Sequence, residues 1–247
     1  MGGREQIYQA ITLILIVLFV DFLERRRPGQ VVDRRNRITL NILALLITAS
    51  AGEMWKEFLQ GGLNVLDLDR IFAPTAIRRL PGAVKILLGL TLADFCLYWV
   101  HRYMHRPTLW PTHKFHHSID ELWWLAGSRT SLTHLFLFAV PQVFLAYYIF
   151  ALSPREAGIA FAVGVVVNVW IHANLWVSLG SLEWLLITPN YHRVHHGAKG
   201  LSSRNLGFIL TVWDRMFGTY INPETTGKDF ALGFVSTRHL FRMIVGL

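Results

Sequence analysis

The fold is read from residues 130–182, TSLTHLFLFAVPQVFLAYYIFALSPREAGIAFAVGVVVNVWIHANLWVSLGSL. Thr130 to Leu152 carries no charged side chain, and neither does Ala157 to Leu182. Ser153-Pro154-Arg155-Glu156 stands between the two runs and makes them a helical hairpin. Uncharged runs of about twenty residues suit a hydrocarbon core of about 30 Å. Working outward, a third run spans about Ala83 to Val100, with Lys85 near its start placed to snorkel. Ile38 to Gly52 is a further run, extended by Met54 and Trp55, and Gly61 to Pro81 reads as a connecting loop. Ile7 to Val20 is the first run; without a basic leader or an Ala-x-Ala site it is expected to be a retained helix. The sequence therefore predicts an all-α, polytopic integral membrane protein with about four to five transmembrane helices.

Composition agrees. Of 247 residues, 53% are hydrophobic and only 16% charged, against about 25% charged in an ordinary soluble domain. The one cysteine, Cys96, excludes an internal disulfide framework and a zinc ribbon. The net charge of +8 is concentrated rather than spread: Arg25, Arg26, Arg27, Arg34, Arg35 and Arg37 all fall between the first two apolar runs. A basic block in that position marks a cytoplasmic loop and not a nucleic-acid surface, so no nucleic acid is expected as a partner. Counting crossings from that loop puts the N-terminus outside. Every histidine except His239, read as a headgroup contact, then lies on or just inside the cytoplasmic face. The pair Arg78-Arg79 falls on the outer side, against the rule.

The eleven histidines are grouped. His101-Arg-Tyr-Met-His105 places two imidazoles four apart, on one face of a helix. His113-Lys-Phe-His116-His117 and His192-Arg-Val-His195-His196 repeat one H-x-x-H-H spacing. Neutral imidazole nitrogen binds iron, zinc or copper well, and a zinc ion takes about four ligands. Eight histidines are too many for one ion, so two metals are expected. His172 and His134 are single residues inside or beside uncharged runs, where a polar group is costly and reads as functional. Asp94, seven before His101, and Asn168, four before His172, are placed to orient ligand imidazoles from behind.

These motifs carry a resemblance. Asp94-x-x-x-Tyr98-Trp99-x-His101-Arg102-x-x-His105, His113-Lys114-x-His116-His117-Ser118, His172-x-Asn174 and Thr188-Pro189-x-x-His192-Arg193-Val194-His195-His196 occur in this order. They are followed by Asn205-x-Gly207 and Trp213-Asp214-Arg215-x-Phe217-Gly218-Thr219. The series resembles the fatty acid hydroxylase superfamily, including its sterol desaturase branch, over about Asp94 to Tyr220. The resemblance implies a membrane-bound non-haem di-iron oxygenase that hydroxylates or desaturates the alkyl part of a lipid or sterol-like substrate. Two iron ions would be the cofactor and O2 the co-substrate. Ligands carried over by position are His101, His105, His113, His116, His117, His192, His195 and His196, with His172 matching a further family histidine. Some members have Arg-x-His-Pro after the second box, where this chain reads Arg129-Thr130-Ser131-Leu132; whether His134 substitutes as a ligand stays open. With no fused cytochrome b5 domain, electrons are expected from a separate ferredoxin, cytochrome b5 or reductase. The chain then divides into N-terminal helices and basic loop (1–80), a catalytic region (81–220) and a C-terminal tail (221–247). The segment Gly207 to Thr219 is expected to lie along the interface and return Asp214 or Arg215 to the metal site.

Two other classes compete. A membrane b-type cytochrome would hold haem between His101, His134 or His172, leaving both H-x-x-H-H boxes idle. A zinc hydrolase would need a glutamate base, and neither box contains one. Seven tryptophans (Trp99, Trp110, Trp123, Trp124, Trp176, Trp184, Trp213) gather near the histidines, where an aromatic belt at the headgroups is the simpler expectation.

Overall fold

The structure is a computed structural model that describes residues 3–35, 37–198, 201–233 and 239–247. Five long helices form it: α1 (Gly3–Arg26), α2 (Ile38–Asn64), α3 (Gly82–Met104), α4 (Leu132–Val143) and α5 (Pro154–Ile171). All five are long and apolar enough to cross a membrane, α4 with its π-helical continuation Phe144–Ile149. Pro141 lies one turn from the π segment; it has no N–H for the helical ladder, and a π turn absorbs that break. Short helices and turns between and after these carry most of the histidines. Among the described residues there is no strand, only the isolated bridges Leu186 with Leu210 and Gly197 with Leu232.

Packing pairs α1 with α5 and α2 with α4, while α3 lies against both α4 and α5. Val20 of α1 meets Val169, Ala173 and Leu175, and Leu59 of α2 meets Val143 and Tyr148. The alternating directions bring the C-terminal ends of α1, α3 and α5 and the N-terminal ends of α2 and α4 to one end of the bundle. The arginine loop and the histidines therefore share that end. Gln30 of the loop exchanges backbone hydrogen bonds with the Asn174 side chain, beside the third box.

Two boundaries and one side-chain placement differ from the sequence reading. α2 continues through Gly61-Gly62 to Asn64, into the stretch that reads as a connecting loop. α5 ends at Ile171, well short of Leu182, so His172 is the cap residue of a helix and not a residue within a span. The reason is tertiary: Asn174 is claimed by Gln30 and Glu24, and that pairing outweighs the helical preference of the apolar run. Lys85 does not snorkel. It is buried and pairs with Glu156 across to α5 at 2.9 Å. At the same end, Arg78 is held by Asp69 and by the Tyr148 carbonyl, which gives this exception to the charge rule a local structural role.

The histidine end is fastened by a buried carboxylate. Glu24, fully buried, accepts from Asn174 N–H (2.6 Å), Trp124 N–H (2.9 Å) and the Arg34 guanidinium (2.7 Å). It ties α1 and the basic loop to the segments after the second box and after α5. Removing one partner of a buried ion pair typically costs about 3–5 kcal/mol, because the other charge stays buried. Glu24→Ala should therefore lower the unfolding temperature in detergent sharply, whereas Arg25→Ala, whose pair with Asp21 is at the exposed surface, should leave it near the parent value.

Candidate metal centre

The first box is built on the end of a long helix and the other two on short helical pieces. His101 lies in the last turn of α3 and His105 caps it, so spacing four brings their rings to one side. His113 sits on Trp110–Lys114, which Pro111 starts, and His116 and His117 follow in a tight 3-10 turn. The third box occupies Pro189–His195, where the Thr188 hydroxyl accepts from Tyr191 N–H and proline takes the first helical position. His134 lies in the first turn of α4, its N–H donated to Ser131 Oγ.

The structure gathers nine of the ten box and near-box imidazoles into two groups. His101, His105, His113, His117 and His195 form one; His116, His172, His192 and His196 form the other. Within each group the facing ring nitrogens all lie within 4.8 Å of one another. The Nε2 atoms of His101 and His113 are 2.9 Å apart, and His192 Nε2 is 3.1 Å from both His172 Nε2 and His196 Nε2. The groups abut through His113 with His116 and His117 with His196, whose ring centroids are 5.0 and 4.9 Å apart. His134 belongs to neither. Its Nδ1 is 3.1 Å from His113 Nδ1, on the side of that ring away from the group.

Behind the rings stand backbone carbonyls. His101 Nδ1 donates to Leu206 O (2.7 Å), His195 Nδ1 to Arg204 O (3.0 Å), His116 Nδ1 to Arg129 O (3.1 Å) and His172 Nδ1 to Asn168 O (2.8 Å). A carbonyl can only accept, so these four rings carry their proton on Nδ1 and turn a bare Nε2 inward. Buried nitrogens of His117, His192, His195 and His196 have no hydrogen-bond partner. Among the described residues no carboxylate bonds a ring nitrogen. Burial and the neighbouring imidazoles push His105, His113, His116, His117, His192, His195 and His196 well below the usual histidine range, and burial brings His172 to about 4. The cluster is neutral, buried and rich in unshared lone pairs, which is the donor set a divalent cation of intermediate softness satisfies.

The same geometry bears on the competing chemistries. His101 and His134 each pack within 5 Å, centroid to centroid, of His113, and His172 within 5.1 Å of His116. That leaves no slot for a macrocycle between facing rings. Among the described residues no acidic side chain is positioned on the cluster to act as a hydrolytic base.

Asp94 and Asp214 are both buried near the centre, yet neither touches an imidazole. Asp94 accepts from the N–H groups of Phe208, Ile209 and Leu210 and from Trp213 Nε1. Asp214 accepts from Leu206 N–H (2.8 Å), Gly207 N–H (2.7 Å), Thr219 Oγ1 (2.6 Å) and the Tyr191 hydroxyl. Asp214 thus holds the peptide whose carbonyl receives His101. Asn168 reaches His172 through its backbone oxygen, a contact that any residue at that position would offer. Arg215 lies over the Tyr220 ring, away from the cluster. The tryptophans are less of a belt than their clustering suggested: Trp123 is buried, Trp124 and Trp213 donate to Asp21 and Asp94, and Trp110 packs on the rings of His105 and His117.

Several residues of the site went unnoticed in the sequence. Gly127 lies against His172, and a Cβ there would come within 2.5 Å of the ring. Arg129 is fully buried, donating to Asn41 Oδ1 and Ser118 O while its own carbonyl receives His116. Arg193, inside the third box, donates to Gln30 and Asn174. Burial brings both guanidinium groups down to about 10, so they remain charged at neutral pH. Asn41, the one amide side chain in the second apolar run, was the available signal for Arg129.

Comparison with known proteins supplies the lineage. The fatty acid hydroxylase family profile matches residues 86–219, more than half of the chain and all nine clustered histidines. An alkylglycerol monooxygenase from Xenopus tropicalis is 35% identical over 133 residues, 53% of this chain and 29% of that protein. An ornithine lipid hydroxylase from Rhizobium tropici is 36% identical over 148 residues, 58% and 44% of the two chains. A Delta(7)-sterol 5(6)-desaturase from Gibberella zeae is 32% identical over 146 residues, 56% and 38%. The chain thus covers less than half the length of these relatives. No solved structure gives a significant match. From the profile match, with its three histidine boxes, the chain belongs to the fatty acid hydroxylase family.

Proposed function

We propose that this protein is a membrane oxygenase that inserts oxygen into the alkyl or acyl chain of a lipid, using two iron ions held by its nine clustered histidines. The observation that carries the reading is the division of those rings into a group of five and a group of four, each with its nitrogens facing inward. Iron bound there would supply the activation of dioxygen that an unactivated C–H bond requires and that amino-acid side chains do not offer. O2 is the co-substrate, and electrons come from a separate donor protein.

The chain's own residues hold and orient. His101, His105, His113, His117 and His195 hold one ion; His116, His172, His192 and His196 hold the other. His134 is a positioning residue, with its Nδ1 accepting the Nδ1 proton of His113 and so leaving His113 Nε2 free to bind. Asp214 fixes His101 through the Leu206 peptide, and Asp94 anchors the segment that follows. The buried rings and the packed aromatics around them exclude water from the site. The catalytic region 81–220 carries the ligands, and residues 1–80 clasp it through Glu24, Gln30 and Asn41. The tail 221–247 includes residues 234–238, which lie outside the described residues. The arginine loop at the histidine end supports a cytoplasmic position for that end.

The relatives' names, an alkylglycerol monooxygenase, an ornithine lipid hydroxylase and a sterol desaturase, support a lipid substrate that enters from the bilayer. Lipid mass spectrometry of cells with and without the protein should show one lipid class gaining an oxygen atom. A class losing two hydrogens would make the reaction a desaturation, and no change in any class would contradict the assignment.

The two groups can be disabled separately. Iron-loaded parent protein should approach two irons per chain by elemental analysis. Gly127→Ala drives a methyl group into His172 and should cost the ion of the four-histidine group. Asp214→Asn loosens the Leu206 carbonyl behind His101 and should weaken the five-histidine group about 10 to 100-fold, the usual effect of such an orienting partner. Each variant should retain one tightly held iron.

A further inference from the structure

We infer that the paired segments 182–187 and 207–217 form a hairpin embedded in the bilayer at the histidine end, and that their exposed apolar side chains face lipid. The inference rests on the membrane-spanning helices and not on the chemistry at the histidines.

The first observation is depth. The second segment runs back along α3: Phe217 O accepts from Arg102, the Phe217 ring stacks on Tyr98, Trp213 packs on Phe95, and Phe208 to Leu210 donate to Asp94. From Arg102 back to Asp94 is about 12 Å of helix, at ~1.5 Å per residue. Asp94 itself lies nearly three turns inside the span Gly82–Met104. On the other side, Phe208 packs with Val167 and Trp170 of α5 against one buried cluster, Ile171, Ile187 and Tyr191, and Trp170 Nε1 donates to Ile187 O. The hairpin is therefore level with the interior part of two spans.

The second observation is where its polar backbone goes. A loop in water has no need of internal partners, whereas irregular backbone at membrane depth must find them in protein. Here Phe208, Ile209 and Leu210 give their N–H groups to the buried Asp94 carboxylate. Ile187 N–H donates to Ile209 O and Thr211 N–H to Leu185 O. The Thr211 hydroxyl closes on Trp184 O. The three charged residues are also engaged: Asp214 accepts from Leu206 and Gly207 N–H, Glu183 accepts from Leu179 N–H, and Arg215 donates to Glu183 O and covers Tyr220.

The third observation is what remains outside. Leu182, Trp184, Leu185 and Met216 are exposed, Trp184 and Met216 to 63% and 64%. They continue an existing apolar surface, since exposed Leu88 and Leu92 lie on α3 just beyond Phe95 and Trp213. A patch continuous with the lipid-facing surface of a span, with its backbone already satisfied, is suited to acyl chains rather than to water.

The test uses the single cysteine. In a Cys96→Ala background, nitroxide labels are placed at Leu182→Cys and, separately, at Met216→Cys, in full-length protein reconstituted into phosphatidylcholine vesicles. Leu87→Cys, exposed on α3 within its span, and Arg25→Cys, exposed in the last turn of α1 before the basic loop, serve as references. Collision with O2 should match that at Leu87→Cys, and collision with a soluble nickel chelate should be several-fold lower than at Arg25→Cys. Nickel accessibility equal to that of Arg25→Cys would put the hairpin in water and overturn the inference. So would a label shielded from both reagents whose spin–spin broadening disappears on dilution with unlabelled protein, the result expected if a second copy covers the patch. Metal content and lipid turnover do not enter this measurement, so its failure would leave the oxygenase reading standing.

Discussion

Nine imidazoles buried at one end of a membrane bundle, with bare nitrogens turned on one another and no carboxylate among them, are the constraint from which the rest follows. Protonated rings would repel, and neutral rings turned on one another form a donor set suited to a bound cation. Keeping the rings neutral requires dryness. Aiming them requires acceptors behind them that bring no charge of their own, and the chain uses the carbonyls of Leu206, Arg204, Arg129 and Asn168 for this.

That choice transfers the demand for order from side chains to backbone. A carbonyl is only as well placed as its peptide, and each of these peptides is held by another interaction. Asp214 holds Leu206, the Arg129 side chain ties its own segment to Asn41 and Ser118, and the last turn of α5 holds Asn168. The buried acids and arginines near the site act as carpentry for the peptides that orient the ligands. The N-terminal helices participate as well. Asn41 on α2 and Glu24 and Gln30 around the basic loop reach residues between or beside the boxes, so residues before the family match contribute to the geometry of the site.

Much of this was legible in the sequence. The five apolar runs gave the five helices, since charge-free runs of that length leave few alternatives. The H-x-x-x-H and H-x-x-H-H spacings gave the gathered rings, since each is fixed by local helix geometry. His172 joined the cluster even though its helix ended eleven residues earlier than the uncharged run suggested. What the sequence could not show was long-range pairing. Asp94 by its spacing and Asp214 by its place in the tail motif look like imidazole partners, yet both are bound by backbone N–H groups near residues 206–210, a contact no periodicity encodes. Gly127 carries no pattern at all, and its importance lies in the ring pressed against it.

The central claim is that both ions are held by imidazole nitrogen from groups of five and four. X-ray absorption at the iron edge of the loaded protein measures this directly, because imidazole rings give a characteristic outer-shell scattering that carboxylates and thiolates do not. The account predicts a first shell of nitrogen and oxygen without sulfur, and between four and five imidazoles per iron, the mean of the two groups. A shell dominated by carboxylate oxygen, or only one or two imidazoles per iron, would contradict it.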